Sequence, residues 1–313
     1  MQFTLPSPKR YFPVSKNDFA FIAGLKPTNP HNSILQFDDQ YLNYHHEKKR
    51  NRKLSLHRFV QESSLQPKLR KFTFHFILQQ IQLNWPGIFS IETCSNNLLI
   101  FNKLTHDKLR FDNETFDLIE PNTSINELDA IMSQIQEDLS IVELNSDADR
   151  ICYLHLNFPN FWSAEDKIGQ SFLGAHENVP AMEKMKKSHH AINQMLCQQG
   201  PFERFTWGLS ASKELNQHPK HVTSSNRCFR KTIDQKDLSQ IFLRVERQVT
   251  VPLPEFNAYL FFIRTYFENL TDASLEELQH LRHSLKTMSD DIARYKGIYT
   301  QRKDLIELIN SLP

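Results

Sequence analysis

Glycine is scarce in this chain. Only 7 of its 313 residues are glycine, whereas an average protein contains about 7%. No G-x-G-x-x-G motif and no phosphate-binding loop is present, which argues against a nucleotide- or dinucleotide-binding fold. An excess of charge of one sign is also missing, since the formal net charge is +1 at pH 7. Composition therefore gives no reason to expect nucleic acid or an anionic membrane as a partner.

Closely spaced cysteines and long hydrophobic runs are missing as well. The four cysteines, Cys94, Cys152, Cys197 and Cys228, form no C-x-x-C pair, which fits reduced thiols better than a disulfide framework or a structural zinc site. The N-terminal residues contain no apolar stretch typical of a signal peptide. The longest apolar run, 258–263, is far shorter than the ~20 residues of a membrane span. We therefore predict a cytoplasmic protein without a membrane partner.

The apolar content is that of a soluble globular protein, with 39% hydrophobic residues and 24 phenylalanines. A chain of this length forms one large domain or two. We predict an N-terminal part (1–145) made of an extended arm (1–40), helices and short strands. It packs on a core (146–313) that ends in helices. One continuous domain over 1–313 is the alternative.

Hydrophobic periodicity gives a coarse secondary structure. The predicted helices cover 38–61, 66–84, 181–199, a segment that starts at Ser124 and continues towards 144, and two segments after Ser274. The predicted strands cover 89–93, 97–102, 108–113, 151–158, 204–209 and two runs within 241–267. Both serines have a glutamate three residues later, as in a capping box. From residue 151 the order is strand, helices and three antiparallel strands, which predicts an α+β fold with one sheet and helices on one face.

The stretch 241–267 contains two charges at positions where apolar residues are expected. Period two places Arg247 on the apolar face of the first strand together with Leu243. In the second strand Arg264 shares a face with Leu260, and the expected pairing places Leu243 opposite Arg264. Because an unpaired buried charge is costly, each guanidinium needs a carboxylate, a phosphate or a ligand acid as its partner. We therefore predict that this sheet holds a ligand.

Two histidines are candidate ligands or catalytic groups. His176 lies between a small-residue turn and a predicted helix start, where a side chain can face a pocket. A surface-loop histidine is the alternative. His155 lies within a predicted strand, which favours a hydrogen-bonded histidine of the core. A zinc site formed by His218, His221 and Cys228 is a further hypothesis, although ligands scattered in a polar loop are usually only a loop.

A third arginine lies in the strand that precedes the hairpin. Arg204 shares a strand face with Thr206 and Gly208 by period two. It could join Arg247 and Arg264 in one cationic cluster. Three structural salt bridges would give the same pattern in the sequence.

Several blocks of sequence occur in an order that is familiar as a whole. They are 21–27, Trp162 with 165–169, 175–180, 204–210, 242–248, 258–266 and 295–297. In this order the blocks resemble the signature of the haem-dependent oxidative N-demethylase family. The resemblance covers roughly residues 10 to 300, and six of the seven glycines lie in or beside the blocks.

The resemblance implies a PAS-like domain that binds b-type haem and oxidises a small secondary amine such as dimethylamine with O₂. The products would be a primary amine and formaldehyde. It also implies electrons from NADPH through an FMN and iron–sulfur reductase, and tetrahydrofolate to take up formaldehyde, all on partner subunits. The chain itself shows no flavin, cluster or folate motif, so under this resemblance it would correspond only to the haem subunit.

The resemblance also assigns roles to residues. His176 is the predicted ligand of the haem iron, because imidazole is the usual protein ligand of a haem that handles O₂, and His155 is the reserve. The predicted cofactor-binding residues are His176, Arg244, Arg247 and Trp207. The predicted catalytic residues are Arg204, Glu246, Arg264 and Tyr266. The arginines would bind haem propionates or polarise oxygen, and Glu246 with Tyr266 would hold an ammonium group or relay protons.

A non-catalytic PAS-like protein that binds haem or a small molecule as a sensor is the alternative function, and a structural subunit that has lost its ligand is a third. A sensor normally carries an output domain. The sequence pattern shows none, which favours the enzyme.

Overall fold

The computed structural model describes residues 4–20, 24–28, 34–119, 123–145, 148–180, 186–221 and 237–311. Cys228 and residues 181–185 of the predicted helix 181–199 lie outside these ranges. Within them the chain forms antiparallel sheets and helices, so the predicted α+β class is confirmed.

Ten strands and nine helices are used in the description below. The strands are β1 (Lys26–Pro27), β2 (Val60–Glu62), β3 (Phe89–Cys94), β4 (Asn97–Asn102), β5 (Lys108–Asp112), β6 (Asp138–Leu144), β7 (Asp149–His155), β8 (Phe202–Ser210), β9 (Phe242–Leu253) and β10 (Ala258–Asn269). The helices are α1 (Tyr41–Ser55), α2 (Pro67–Asn84), α3 (Glu127–Met132), α4 (Ala164–Lys167), α5 (Phe172–Ala175), α6 (His189–Gln198), α7 (Leu275–Thr287), α8 (Asp290–Tyr295) and α9 (Arg302–Asn310).

Seven strands form the main sheet, in the order β1-β8-β9-β10-β6-β7-β2, and each neighbouring pair is antiparallel. The predicted hairpin, β9 and β10, lies at its centre. β3, β4 and β5 form a second antiparallel sheet. The predicted boundary between 145 and 146 falls between β6 and β7, which are paired neighbours in the main sheet.

The register of the hairpin differs from the predicted one. Arg264 lies opposite Arg247, and Leu243 lies opposite Glu268 rather than Arg264. The strands are longer than expected, because β9 continues to the short 3₁₀ helix Pro254–Phe256 and the chain reverses after it. The difference between 264 and 268 is an even number of residues, so every side chain keeps its predicted face.

One face of the main sheet carries Arg247, Leu260 and Arg264, as period two predicts. We call it the arm face, because the N-terminal arm contacts it. The carbonyl of Ile34 accepts a hydrogen bond from Arg247, and the carboxylate of Asp38 accepts one from Arg264. The arm thus covers the two charges that the sequence places among apolar side chains.

Helices pack on both faces of the main sheet, so the prediction of helices on one face only is wrong. On the arm face Leu260 shares a buried cluster with Phe74 of α2. On the opposite face, which we call the α6 face, Tyr259 shares a buried cluster with Leu196 and Cys197 of α6. Because the central strands are covered on both sides, their sequence is apolar without a clear alternation, as in the run 258–263.

Strand β6 replaces the second half of a predicted helix. The helix that follows Ser124 is only α3, and its cap is Asn126, whose side chain accepts a hydrogen bond from the backbone N–H of Asp129. All residues of β6 are buried. A short, fully buried strand lacks the period-two signal, and its Ile141 and Val142 fit a helical stripe equally well.

Two predicted helix ends are confirmed. Ser274 and Glu277 form a complete capping box at the start of α7. The turn predicted at 295–297 ends α8, and Gly297 adopts a positive φ of 72° there. The backbone N–H of Ile298 reaches back to the carbonyl of Ala293, a pattern that fixes the position of the residues in between.

Among the described helices, none combines the length and the apolar character that crossing a bilayer requires. Cys94 is exposed while Cys152 and Cys197 are buried, and these three described cysteines form no disulfide.

Candidate functional site

The two arginines of the hairpin find their partners within the chain. Both guanidinium groups are about 1% exposed. Arg247 donates from Nε to Glu203 Oε1 at 2.5 Å and from Nη1 to the carbonyl of Ile34 at 2.9 Å. Arg264 donates from Nη2 to Asp38 Oδ2 at 2.8 Å. Of the three partners that the sequence allows, a carboxylate of the chain is therefore the one found.

Aromatic rings enclose Arg264 further. Its guanidinium lies 3.8 Å from the centroid of the Tyr44 ring and 4.9 Å from that of Tyr266. The hydroxyl of Tyr266 donates to Gln36 Oε1 in the arm, and burial raises the pKa of Tyr266. The predicted catalytic residues Arg264 and Tyr266 thus lie in a closed layer between the arm and the sheet.

Arg204 does not join these two arginines. It lies opposite Gln248 on the α6 face, whereas its neighbour Phe205 lies opposite Arg247. Its Nε donates to Gln248 Oε1 at 2.6 Å. The hypothesis of one cluster of three arginines is wrong, because the observed register places Arg204 and Arg247 on opposite faces of paired strands.

Glu246 lies on the same face as Arg204. Its side chain is 14% exposed. Its Oε2 accepts a hydrogen bond from Gln248 Nε2 at 3.0 Å and lies 3.5 Å from the hydroxyl of Thr206. Gly208, the next residue of β8 on this face, adjoins open space, since a Cβ added there would meet no atom within 4 Å. The α6 face therefore presents a partly exposed carboxylate, and Gly208 leaves space two residues along β8 from Thr206, the pairing partner of Glu246.

Arg244 also belongs to the α6 face, but it is only 2% exposed. Its Nη2 donates to the carbonyl of Phe158 at 2.7 Å, and its Nη1 lies 3.3 Å from that of Leu215. Burial lowers its pKa. Its Nε has no hydrogen-bond partner among the described residues and lies 4.0 Å from Glu246 Oε1. Arg244 thus ties two loops to the sheet and points one N–H towards Glu246.

His176 follows α5, a helix whose Ala175 packs into the cluster on the α6 face. Its Nδ1 lies 2.8 Å from the carbonyl oxygen of Phe172, and the two rings are in contact with centroids 4.4 Å apart. A carbonyl oxygen only accepts, so Nδ1 carries the proton and Nε2 keeps its lone pair. Burial lowers the pKa of His176, and the charge of Arg204 acts in the same direction. The neutral imidazole is therefore favoured.

His155 is a core histidine, as its strand position predicts. It is fully buried in β7 on the arm-face side, opposite Leu139. Nε2 lies 3.3 Å from Asp129 Oδ1, and Nδ1 lies 3.2 Å from Asn157 Nδ2. Both ring nitrogens thus face polar atoms of the chain. Burial lowers the pKa of His155 to about 4.

The burial of His155 predicts a loss of stability in acid. In the unfolded chain a histidine takes up a proton near pH 6.5, whereas His155 stays neutral in the folded chain down to about pH 4. The unfolded state therefore binds more protons between these values, and stability falls as the pH falls through this window. Between pH 7 and pH 5 this residue alone should cost about 2 kcal/mol of the free energy of unfolding.

Urea unfolding of the wild type and of His155→Gln at both pH values measures this cost. The wild type should lose about 2 kcal/mol more than the variant between pH 7 and pH 5. Comparing the two proteins cancels the titration of groups that they share. An equal loss in both would show that His155 does not carry the proton uptake.

Lys296, which sequence reasoning did not single out, lies over the aromatic rings of Trp207 and Phe19, with its Nζ 4.8 Å and 5.6 Å from their centroids. It follows α8, and its Nζ donates to the carbonyl of Trp207 at 2.5 Å. Burial lowers its pKa to about 8, while Glu246 acts in the opposite direction. The indole of Trp207 itself faces the arm-face core, where it contacts Phe19 at 5.9 Å between centroids. The block 295–297 is the sequence signal that could have identified this lysine.

The zinc hypothesis finds no support in the described residues. His218 Nε2 lies 3.1 Å from Glu165 Oε2, and no group of three His, Cys, Asp or Glu side chains that could hold a metal ion is found in the described ranges. Cys228 lies outside them.

The predicted site residues thus divide between two faces. The α6 face carries Arg204, Arg244 and Glu246 together with His176, and the arm face carries Trp207, Arg247, Arg264 and Tyr266. A family model described as haem-dependent oxidative N-demethylase, alpha subunit-like, matches residues 24–306. The match includes every predicted site residue and both sheets.

Proposed function

Because the chain belongs to the haem-dependent oxidative N-demethylase, alpha subunit-like family, we propose that it demethylates a small secondary amine such as dimethylamine. The family description gives haem dependence, oxidative N-demethylation and a role as one subunit among others. The proposal adds the substrate class, O₂ as oxidant and b-type haem. It also adds an NADPH-dependent reductase with FMN and an iron–sulfur cluster, and tetrahydrofolate on a further subunit.

The tautomer of His176 is the observation that best supports the proposal. Histidines that bind a metal usually donate their second ring N–H to a carboxylate or a backbone carbonyl, which orients the ring and keeps the ligating nitrogen deprotonated. The contact between His176 Nδ1 and the carbonyl of Phe172 has this form. His176 would therefore hold the haem iron through Nε2.

The surroundings on the α6 face also fit a haem. A haem pocket needs an apolar wall with a few polar groups for the propionates. The buried cluster of Tyr259, Leu196 and Cys197 on the α6 face is surrounded by partly buried apolar side chains. They include Trp162, Ile192, Met195, Phe202 and Phe261. Arg204 supplies positive charge on this face, where Gln248 links it to Glu246, and the space at Gly208 leaves room for a ligand.

When bound, haem supplies the activation of O₂ for the reaction. Overall, dimethylamine, O₂, two electrons and two protons give methylamine, formaldehyde and water. At neutral pH a dialkylamine is an ammonium ion, and it must lose a proton before its nitrogen lone pair can take part in oxidation. Glu246 would bind the ammonium group and accept that proton, and Arg204 would fix the anionic edge of the cofactor.

The arm-face residues have a different role in this proposal. The arm fixes β9 and β10 in place from the arm face, through its hydrogen bonds with Arg247, Arg264 and Tyr266. They set the position of Arg244, Glu246 and Gln248, which alternate with them along the same strands. Substrate handling is assigned to the α6 face.

An absorption spectrum of the purified protein after haem supplementation tests the proposal. We expect a Soret band, a spectral change on addition of dimethylamine, and formaldehyde release that depends on NADPH when a reductase is present. Absence of a Soret band would reject the haem function. Haem binding without any spectral response to amine and without formaldehyde would favour the sensor instead.

A further inference from the structure

Gln248 joins two of the charged groups on the α6 face. It is 7% exposed and lies in β9 between the side chains of Arg204 and Glu246. Its Oε1 accepts from Arg204 Nε at 2.6 Å, and its Nε2 donates to Glu246 Oε2 at 3.0 Å. Both contacts fix the orientation of the amide, because a guanidinium only donates and a carboxylate only accepts.

The contact with Gln248 determines which oxygen of Glu246 is presented to a ligand. Oε2 is held by Gln248 and faces the hydroxyl of Thr206. Oε1 accepts no hydrogen bond from the described residues, and its nearest cationic group, Arg244 Nε, lies 4.0 Å away. That distance is too long for a hydrogen bond. A donor placed between Oε1 and the open space beside Gly208 would complete this site.

We propose that Gln248 is a positioning residue that holds Glu246 with Oε1 directed at the ammonium group of the substrate. The neutral amide separates the guanidinium of Arg204 from the carboxylate of Glu246, so the two do not collapse into a salt bridge. Oε1 of Glu246 thereby stays available to an ammonium donor. The ammonium ligand rests on the proposed function, whereas the orientation of Glu246 does not.

Two substitutions separate this role from a merely structural one. Gln248→Met keeps the length of the side chain and removes both hydrogen bonds. Gln248→Glu keeps an acceptor for Arg204 and replaces the donor to Glu246 with a second negative oxygen. Thr250→Val is the matched control, because Thr250 is a buried residue two positions further along the same face of β9.

The first measurement is the ¹³C chemical shift of the Glu246 carboxyl group, assigned with Glu246→Gln. It needs neither haem nor amine. We expect a changed shift in both Gln248 variants and an unchanged one in Thr250→Val. An unchanged shift in both folded Gln248 variants would overturn the proposal, even if the protein binds haem and releases formaldehyde.

The second measurement is the affinity for dimethylammonium, by calorimetry on the haem-loaded protein between pH 5 and pH 8. We expect about tenfold weaker binding in Gln248→Met, the loss that corresponds to one hydrogen bond to a charged group. Gln248→Glu should bind more weakly still below neutral pH. Two adjacent carboxyl groups share a proton, so the pH below which protonation weakens amine binding should be higher than in the wild type. Wild-type affinity and pH dependence in both variants would equally overturn the role. Wild-type protein that binds no amine would instead reject the proposed function.

Discussion

Replacing His176 with alanine is expected to abolish haem retention. The imidazole supplies the proposed iron ligand. Among the described residues, the contacts of its ring are with the carbonyl and the ring of Phe172, so its removal should leave the fold intact. Size-exclusion purification followed by a pyridine haemochromogen assay gives the ratio of haem to protein, which should fall from near one to near zero.

His189 is a suitable control for this experiment. It also places Nδ1 2.8 Å from a backbone carbonyl, that of Lys186, and so has the same tautomer, but it lies at the exposed start of α6. His189→Ala should retain haem. Loss of haem in His189→Ala with retention in His176→Ala would move the ligand assignment to His189. An unchanged spectrum in both variants would show that neither histidine binds the iron.

The faces of the hairpin could be predicted from the sequence, but its register could not. Period two alone places Arg247 and Arg264 on one face, and the structure confirms this. The register depends on how the turn closes, and the sequence does not reveal that β9 continues as far as the 3₁₀ helix Pro254–Phe256. The predicted register differs from the observed one by an even number of residues. Each side chain therefore lies on the face that was predicted for it.

The partners of the buried charges were beyond prediction for a different reason. Asp38 is 226 residues away from Arg264 in the chain, and no local pattern links an irregular arm to a strand. By contrast, the partner of His176 is Phe172, four residues earlier, so that contact is local. Gln248 was missed because a glutamine on a polar strand face is unremarkable until both of its neighbours are placed.

Replacing Asp38 with asparagine is expected to destabilise the fold by about 3 kcal/mol or more, because it leaves a buried guanidinium without its ion-pair partner. Arg264 is 1% exposed, and its Nε and Nη1 already lack hydrogen-bond partners among the described residues. Urea unfolding at pH 7 measures the loss. Asp39 is the matched control, since it is the adjacent exposed aspartate, and Asp39→Asn should stay within about 0.5 kcal/mol of the wild type.

The double variant Asp38→Asn with Arg264→Met distinguishes a scaffold from a catalytic arginine. If the cost in Asp38→Asn comes from the unpaired charge, removing that charge should recover part of the stability, and the two substitutions should be strongly non-additive. Additive losses would contradict the pairing. Because Arg264 faces the arm and Glu246 faces α6, the folded double variant should still bind haem and amine. If it binds both but releases no formaldehyde, Arg264 acts in the reaction and the assignment of catalysis to the α6 face alone is wrong.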